Sequence, residues 1–283
     1  MKKRIFKNIK LKSGYTRIVS PENSELKYIE FGRLFLPEKN EEYSGKTEGR
    51  EAVLTIFGGR CSVQVETADQ EISYNSIGDR RDVFSGKPTM LYLPPNSKYR
   101  IIAETTVEIG VSTAPSISSS PPVLVKPESV IEKTVGAWNW KRTVYTSIGE
   151  KVKAQRPLVG ETLNPPGNWS SYPPHKHDQK SSSEVPLEEV YFFKVKPPHG
   201  FGLQRIYTSQ EDDEPFDDIF LIENDDAVVI PRGYHPVVAA PGYQLYYLWV
   251  LAGDERSYGA WSDDPNHRWL RNCESVVNEV LRL

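Results

Sequence analysis

Glycine, proline, asparagine and aspartate break this chain so often that most uninterrupted segments are too short for anything but strands. Between the breaks stand runs rich in Val, Ile, Tyr, Phe and Thr, residue types that suit a pleated, half-buried surface. One series occupies residues 28–36, 51–57, 61–66, 91–94, 99–103 and 107–112. The stretch Pro115-Ser116-Ile117-Ser118-Ser119-Ser120-Pro121-Pro122 then has linker composition. A second series follows at 138–146, 189–195, 203–208, 219–222, 227–230 and 244–251. Helical signals are confined to the C-terminal end, at 262–271 and 274–283. The halves echo each other: Leu91-Tyr92-Leu93-Pro94-Pro95 and Val228-Val229-Ile230-Pro231-Arg232 each lead an apolar strand into a proline turn. The pattern predicts an all-β chain of two tandem β-barrels or sandwiches, residues 1–116 and 123–283, with a short helical C-terminus.

A length of 283 residues is ample for two cores. The net charge of −3 advertises neither nucleic acid nor an anionic membrane as a partner. No apolar run approaches the roughly 20 residues of a membrane helix, and Ile5-Phe6-Lys7-Asn8 ends any signal-peptide core at once. A cytoplasmic location is expected. Cys61 and Cys273 are far apart in sequence and form no CxxC pair, so they read as ordinary thiols.

All five histidines lie at or after position 175, which confines histidine chemistry to the second half. His175 and His177 flank Lys176 in Pro174-His175-Lys176-His177-Asp178. Residues two apart on a strand share a face, about 7 Å apart along it. Both imidazoles can then reach one ion while Lys176 points away. His235 follows a Pro231-Arg232-Gly233-Tyr234 turn, and a carboxylate opens the apolar run Val190-Tyr191-Phe192-Phe193. Three imidazoles and one carboxylate suit Zn, Mn, Fe or Ni rather than Ca or Mg. Strand alternation does not choose the carboxylate. Glu189 is in phase with Tyr191 and Phe193, Glu188 with Val190 and Phe192, and Glu184 qualifies by its place in the polar loop after His177.

Bland readings cover the other features. His199 sits in Pro197-Pro198-His199-Gly200, a turn, and His267 in the expected C-terminal helix beside Trp269. The acidic stretch 211–218 lacks calcium-loop spacing. Gly58-Gly59 reads as a hairpin, with no helix to make it a phosphate loop. There is no Gly-x-Ser-x-Gly nucleophile motif.

A strand-borne His-x-His, then Glu, then a glycine turn and His is the cupin metal pattern. The segments Gly160-Glu161-Thr162, Gly167 to Asp178, Leu187 to Phe192, Gly202 to Thr208 and Val229 to Pro236, with Arg81 to Thr89 in the first half, resemble the 5-deoxy-glucuronate isomerase family. These are bicupin sugar-acid isomerases of myo-inositol catabolism, related to keturonate isomerases. The resemblance implies two cupin barrels, with one divalent transition metal (zinc, manganese, iron or nickel) held by His175, His177, Glu189 and His235 in the second. It selects Glu189 over Glu188 and Glu184. It implies an aldose–ketose isomerase that needs no organic cofactor. Its expected partner is a small sugar acid, with no nucleic acid and no membrane, and a homo-oligomer is left open. Arg205 is then the first choice to grip the substrate carboxylate. Its neighbour Gln204 faces the other way on a regular strand, so one of the two should line the cavity. Tyr191, in phase with Glu189, is a candidate hydrogen-bond donor to a sugar oxygen, and Asn168 and Trp169 are lesser candidates for substrate contact. The serine-rich loop from Gln179 to Val185 departs from the family's more charged and proline-rich pattern. A metal hydrolase, an iron dioxygenase and a non-catalytic sugar-binding cupin are the competing readings of the same ligand set.

Overall fold

The structure is a computed structural model and describes residues 3–281 apart from 8 and 119. The first half forms a six-stranded sheet in the order Val123–Val125, Thr89–Leu93, Arg50–Gly58, Val107–Pro115, Glu30–Leu36, Gly14–Val19. Facing it is a four-stranded sheet of Glu42–Lys46, Lys98–Ala103, Cys61–Glu66 and Glu71–Ile77. The second half repeats the plan. Its seven-stranded sheet runs Ile5–Phe6, Ala227–Ile230, Glu188–Lys196, Gln244–Ala252, Leu158–Asn164, Arg142–Ile148, Ile131–Val135. Its four-stranded sheet is Trp169–Ser170, Val237–Ala239, Phe201–Tyr207 and Asp217–Glu223. Each pair of sheets encloses its own apolar core, one around Leu34, Leu54, Ile101 and Ile109, the other around Tyr191, Phe193, Ile206 and Trp249.

A third core lies where the two large sheets meet back to back and includes Phe31, Val53, Phe57, Phe192, Tyr246 and Leu248. It explains why Val190-Tyr191-Phe192-Phe193 is apolar without a break. Val190 and Phe192 pack toward the other half, while Tyr191 and Phe193 fill their own barrel. A strand buried on both faces needs apolar residues in both phases.

Strand register makes the two halves comparable residue by residue. Glu189 pairs with Ile230, just before Pro231, and Ala52 pairs with Leu93, just before Pro94. Ala52 therefore stands where the second barrel has Glu189, and Glu51 stands where it has Glu188. The two outer-phase glutamates reach across reciprocally. Glu188 accepts hydrogen bonds from the backbone N–H groups of Lys27 (2.6 Å), Tyr28 (2.8 Å) and Ile29 (2.8 Å). Glu51 accepts from the backbone of Gln155 (2.9 Å) and Arg156 (2.6 Å) and from the Tyr92 hydroxyl (2.9 Å). Burial raises the pKa of both carboxyls, opposed by these donors.

Three expectations are corrected. The division at 116–122 does not match the sheets: Ile5–Phe6 pairs with the second half's Ala227–Val228, and Val123–Val125 pairs back onto Met90–Tyr92. Each segment covers a sheet edge that would otherwise be open. The expected helix at 262–271 begins instead as a strand, because Ser262–Asp263 pairs with His175–Lys176. One helix, Trp269–Val280, follows and absorbs most of the segment 274–283, whose last two residues lie outside the described ones. Finally, residues 138–140 form a short 3-10 turn before the strand Arg142–Ile148. No helix among the described residues is long and apolar enough to cross a membrane.

Replacing Glu188 by alanine orphans three backbone donors at the seam between the halves. Urea unfolding should show a loss of about 3 kcal/mol, with metal binding retained below the transition.

Candidate metal centre

The short strand His175–Lys176 is held by pairing of His175 with Asp263 and Lys176 with Ser262. His235 lies beyond the turn that follows Ala227–Ile230, and Glu189 lies on Glu188–Lys196. These segments converge inside the second barrel. Ring centroids are 4.8 Å apart for His175–His235, 5.0 Å for His177–His235 and 6.2 Å for His175–His177. Ligand atoms of the three histidines lie within 4.8 Å of one another. Glu189 Oε2 stands 3.3 Å from His177 Nε2 and 3.4 Å from His235 Nε2.

Backbone carbonyls fix two of the tautomers. His177 Nδ1 lies 2.7 Å from the Leu187 carbonyl oxygen and His235 Nδ1 lies 2.9 Å from that of Gly233. A carbonyl only accepts, so each Nδ1 carries the hydrogen and each Nε2 turns a lone pair inward. Glu189 Oε2 and His235 Nε2 are buried without any hydrogen-bond partner. Several electron-rich atoms thus face one another, which is costly unless a cation joins them. The donor set fits a divalent transition metal.

Electrostatics favour the neutral form at two of the three histidines. Burial, with the neighbouring imidazoles, holds His175 well below the usual histidine range. Burial takes His235 down to about 4, although Glu189 opposes the shift. Burial also acts to lower His177, but the adjacent Glu189 carboxylate outweighs that and raises it. Neutral imidazoles are the metal-binding form.

An outer network locks the ligand-bearing segments together. Lys176 points away from the centre, and its Nζ donates to Asp178 Oδ1 at 2.5 Å and to Glu184 Oε1 at 3.0 Å. Asp178 Oδ2 accepts from the Gly233 backbone N–H at 2.6 Å, tying the His177 segment to the turn before His235. Gly233 has φ +95°, and a Cβ there would lie 2.6 Å from the Tyr207 carbonyl oxygen, so the turn requires glycine. Glu184 accepts from the backbone N–H groups of Asp178 and Gln179, which removes it from the ligand set. Glu188 is likewise committed on the other face of its strand.

The centre opens into a cleft that is continuous with solvent. Tyr191 lines it and shares a 2.9 Å hydrogen bond with Ser171 Oγ. Arg205 does not line it. Its guanidinium lies on the outer face of Phe201–Tyr207, 2.7 and 2.6 Å from the two oxygens of Asp217, which corrects its expected role at the substrate. Gln204 faces inward and is fully buried, with both amide atoms lacking partners, yet it stays behind the cleft wall. Asn168 donates to the carbonyls of Trp138 and Lys141, Trp169 packs on Tyr172, and neither reaches the cleft. His199 packs edge-on to Tyr243 and His267 lies beside Tyr172. The sequence reading missed the cleft residues Arg142, Tyr247, Tyr258, Trp261 and Arg271. Trp261 stacks 5.2 Å from His175, brought there by the strand that had read as helix.

The KduI/IolB family pattern matches residues 6–270. The chain belongs to the KduI/IolB family. It is 39% identical over 263 residues to a 5-deoxy-glucuronate isomerase of Geobacillus kaustophilus, covering 92% of each chain. The 5-deoxy-glucuronate isomerase of Bacillus subtilis strain 168 is 35% identical over 255 residues, 89% of this chain and 91% of that one. An IolB-like protein of Salmonella typhimurium LT2 superposes with a TM-score of 0.85 at 32% identity, covering 92% of this chain and 97% of the other. Oxalate decarboxylase of Lactobacillus farciminis shares the fold alone, with a TM-score of 0.69 at 12% identity over 100% of this chain and 94% of its own. The KduI/IolB chain described here is thus an isomerase-class enzyme built on two cupin barrels.

Replacing Glu189 by glutamine should lower metal occupancy at least tenfold by elemental analysis, with Glu188 variants that remain folded keeping theirs. Replacing Asp178 by alanine, which frees the turn before His235, should weaken metal affinity about 10- to 100-fold in a chelator competition titration.

Proposed function

We propose that this chain is a cytoplasmic, metal-dependent aldose–ketose isomerase that interconverts 5-deoxy-glucuronate and 2-deoxy-5-keto-gluconate in inositol degradation. The observation that carries the reading is the buried, partnerless pair of Glu189 Oε2 and His235 Nε2, set among three histidines at the head of an open cleft. Family membership supplies the substrate class. His175, His177, Glu189 and His235 would hold the ion, with zinc, manganese, iron and nickel all compatible with this donor set.

A bound divalent ion would supply Lewis acidity for a carbonyl oxygen and charge for an enediolate. The residues of the chain do the rest. Carbonyl and hydroxyl exchange between adjacent carbons requires a hydrogen to move from one carbon to the next, either as a proton carried by a base or as a hydride passed directly. Tyr191 suits a donor to a sugar oxygen, because burial pushes its phenol well above the usual range and it stays protonated. Ser171, hydrogen-bonded to that phenol, sets its direction. Tyr247 is held the same way by Ser170. Trp249, Tyr258 and Trp261 wall the cleft with aromatic surface, which limits water around the reacting carbons.

Nuclear magnetic resonance of metal-loaded protein with 5-deoxy-glucuronate should show the keto acid accumulating without oxygen uptake. His177→Ala should abolish turnover, and Tyr191→Phe should lower kcat about 10- to 100-fold while keeping its metal. Hydrolytic ring opening, or binding without turnover by fully loaded protein, would refute the isomerase reading.

A further inference from the structure

The cleft contains two guanidinium groups, and they differ in one decisive respect. Arg271 is neutralised, since its Nε and Nη2 donate to the two oxygens of Asp263 at 2.5 and 2.6 Å. Arg142 has no carboxylate partner among the described residues. Its Nη1 donates to the carbonyls of Trp140 (3.2 Å) and Tyr172 (3.0 Å), which anchors one end of the group to the barrel wall. Its Nε and Nη2 have no partner among the described residues. They form the side of a guanidinium that takes a carboxylate with two parallel hydrogen bonds. Arg80, which is buried where Arg142 is half-buried, is instead paired by Glu161 through both oxygens at 2.6 and 2.7 Å. Burial lowers the Arg142 pKa, with Arg271 adding to the shift and Tyr247, Glu274 and Tyr191 opposing it. Glu189 is the cleft's remaining carboxylate, and it is committed to the imidazoles.

Position points the same way. Arg142 is in phase with Val144, which pairs with Thr162, which pairs with Tyr247, which pairs with Phe193 on the strand of Glu189. Three strand steps, about 14 Å of sheet, separate the strands of Arg142 and Glu189, and the register sets the two residues a further six positions apart along the strands, about 20 Å. The side chains of Arg142 and Glu189 reach toward one cleft from its opposite sides, so a short chain held between them would have its two ends distinguished. Thr162 and Tyr247 line the floor between and offer hydroxyls to whatever lies there.

We propose that Arg142 is the carboxylate anchor of this site: the open edge of its guanidinium grips the acid group at the far end of the substrate and so places the carbonyl and its neighbouring hydroxyl at the histidine–glutamate centre. This rests on the isomerase reading for its substrate, but the grip itself is a statement about binding. The chain then selects sugar acids over neutral sugars, and the selection resides at Arg142 rather than at Arg205.

The test compares 5-deoxy-glucuronate with the neutral 5-deoxy-glucose, by kcat/KM and by equilibrium binding followed through tryptophan fluorescence of the metal-loaded protein. Wild type should favour the acid by about a thousandfold. Arg142→Met should lose at least a hundredfold on the acid, mostly through KM, and change within threefold on the neutral sugar, so that discrimination collapses while metal content stays at wild-type level. Arg142→Lys, which keeps the charge and loses the fork, should recover part of the preference. Arg205→Ala should leave it intact. An Arg142→Met protein that keeps the acid preference overturns the anchor. Should Arg142→Met not fold, a full wild-type preference in Arg142→Lys overturns it instead. Absence of isomerisation in the wild type would sink the isomerase reading alone, because the binding comparison still decides the anchor.

Discussion

Glu188 and Glu189 sit side by side on a strand buried on both faces, and strand geometry sends their carboxylates in opposite directions. One goes into the barrel and meets two imidazoles. The other goes out through the back of the sheet and caps three backbone N–H groups of the first half. The same register therefore fixes the reactive centre and the seam between halves. A one-residue slip would exchange the two roles and lose both at once. The apolar core on the outer phase, with Phe192 against Phe31 and Phe57 at 5.1 and 5.4 Å between ring centres, makes such a slip expensive.

Much of the fold was legible, and the reasons are local. Proline and glycine breaks mark strand ends well, and the linker chemistry of residues 115–122 does separate two strand series. What could not be read was exchange at the edges, because a two- or three-residue strand such as Ile5–Phe6 or Val123–Val125 exists only by virtue of its partner. The segment 262–271 failed for the same reason: pairing with His175–Lys176 overrode a local helix signal.

The histidine cluster was legible because it combines a rare residue type with fixed spacing. His175, His177 and His235 meet as the sequence suggests, and the structure brings Glu189 to them through its phase on the strand. The substrate side was less legible, and Phe201–Tyr207 shows why. Its outward phase carries Phe201 and Leu203, 43% and 40% exposed, together with Arg205, while Gln204 takes the inward phase. Hydrophobic periodicity points to the wrong face of such a strand. Arg142 carried no signal at all, since nothing in Trp140-Lys141-Arg142-Thr143 tells one cation from the next until Asp263 is seen to pair with Arg271 and leave Arg142 alone.

The exchange of Glu51 and Glu188 also bears on how a duplicated barrel could specialise. Ala52 stands where the second barrel has Glu189, so the first half offers no carboxylate at that position, yet Glu51 still serves the backbone of its sibling. Either barrel without the other would expose an apolar wall and leave backbone donors in want of an acceptor.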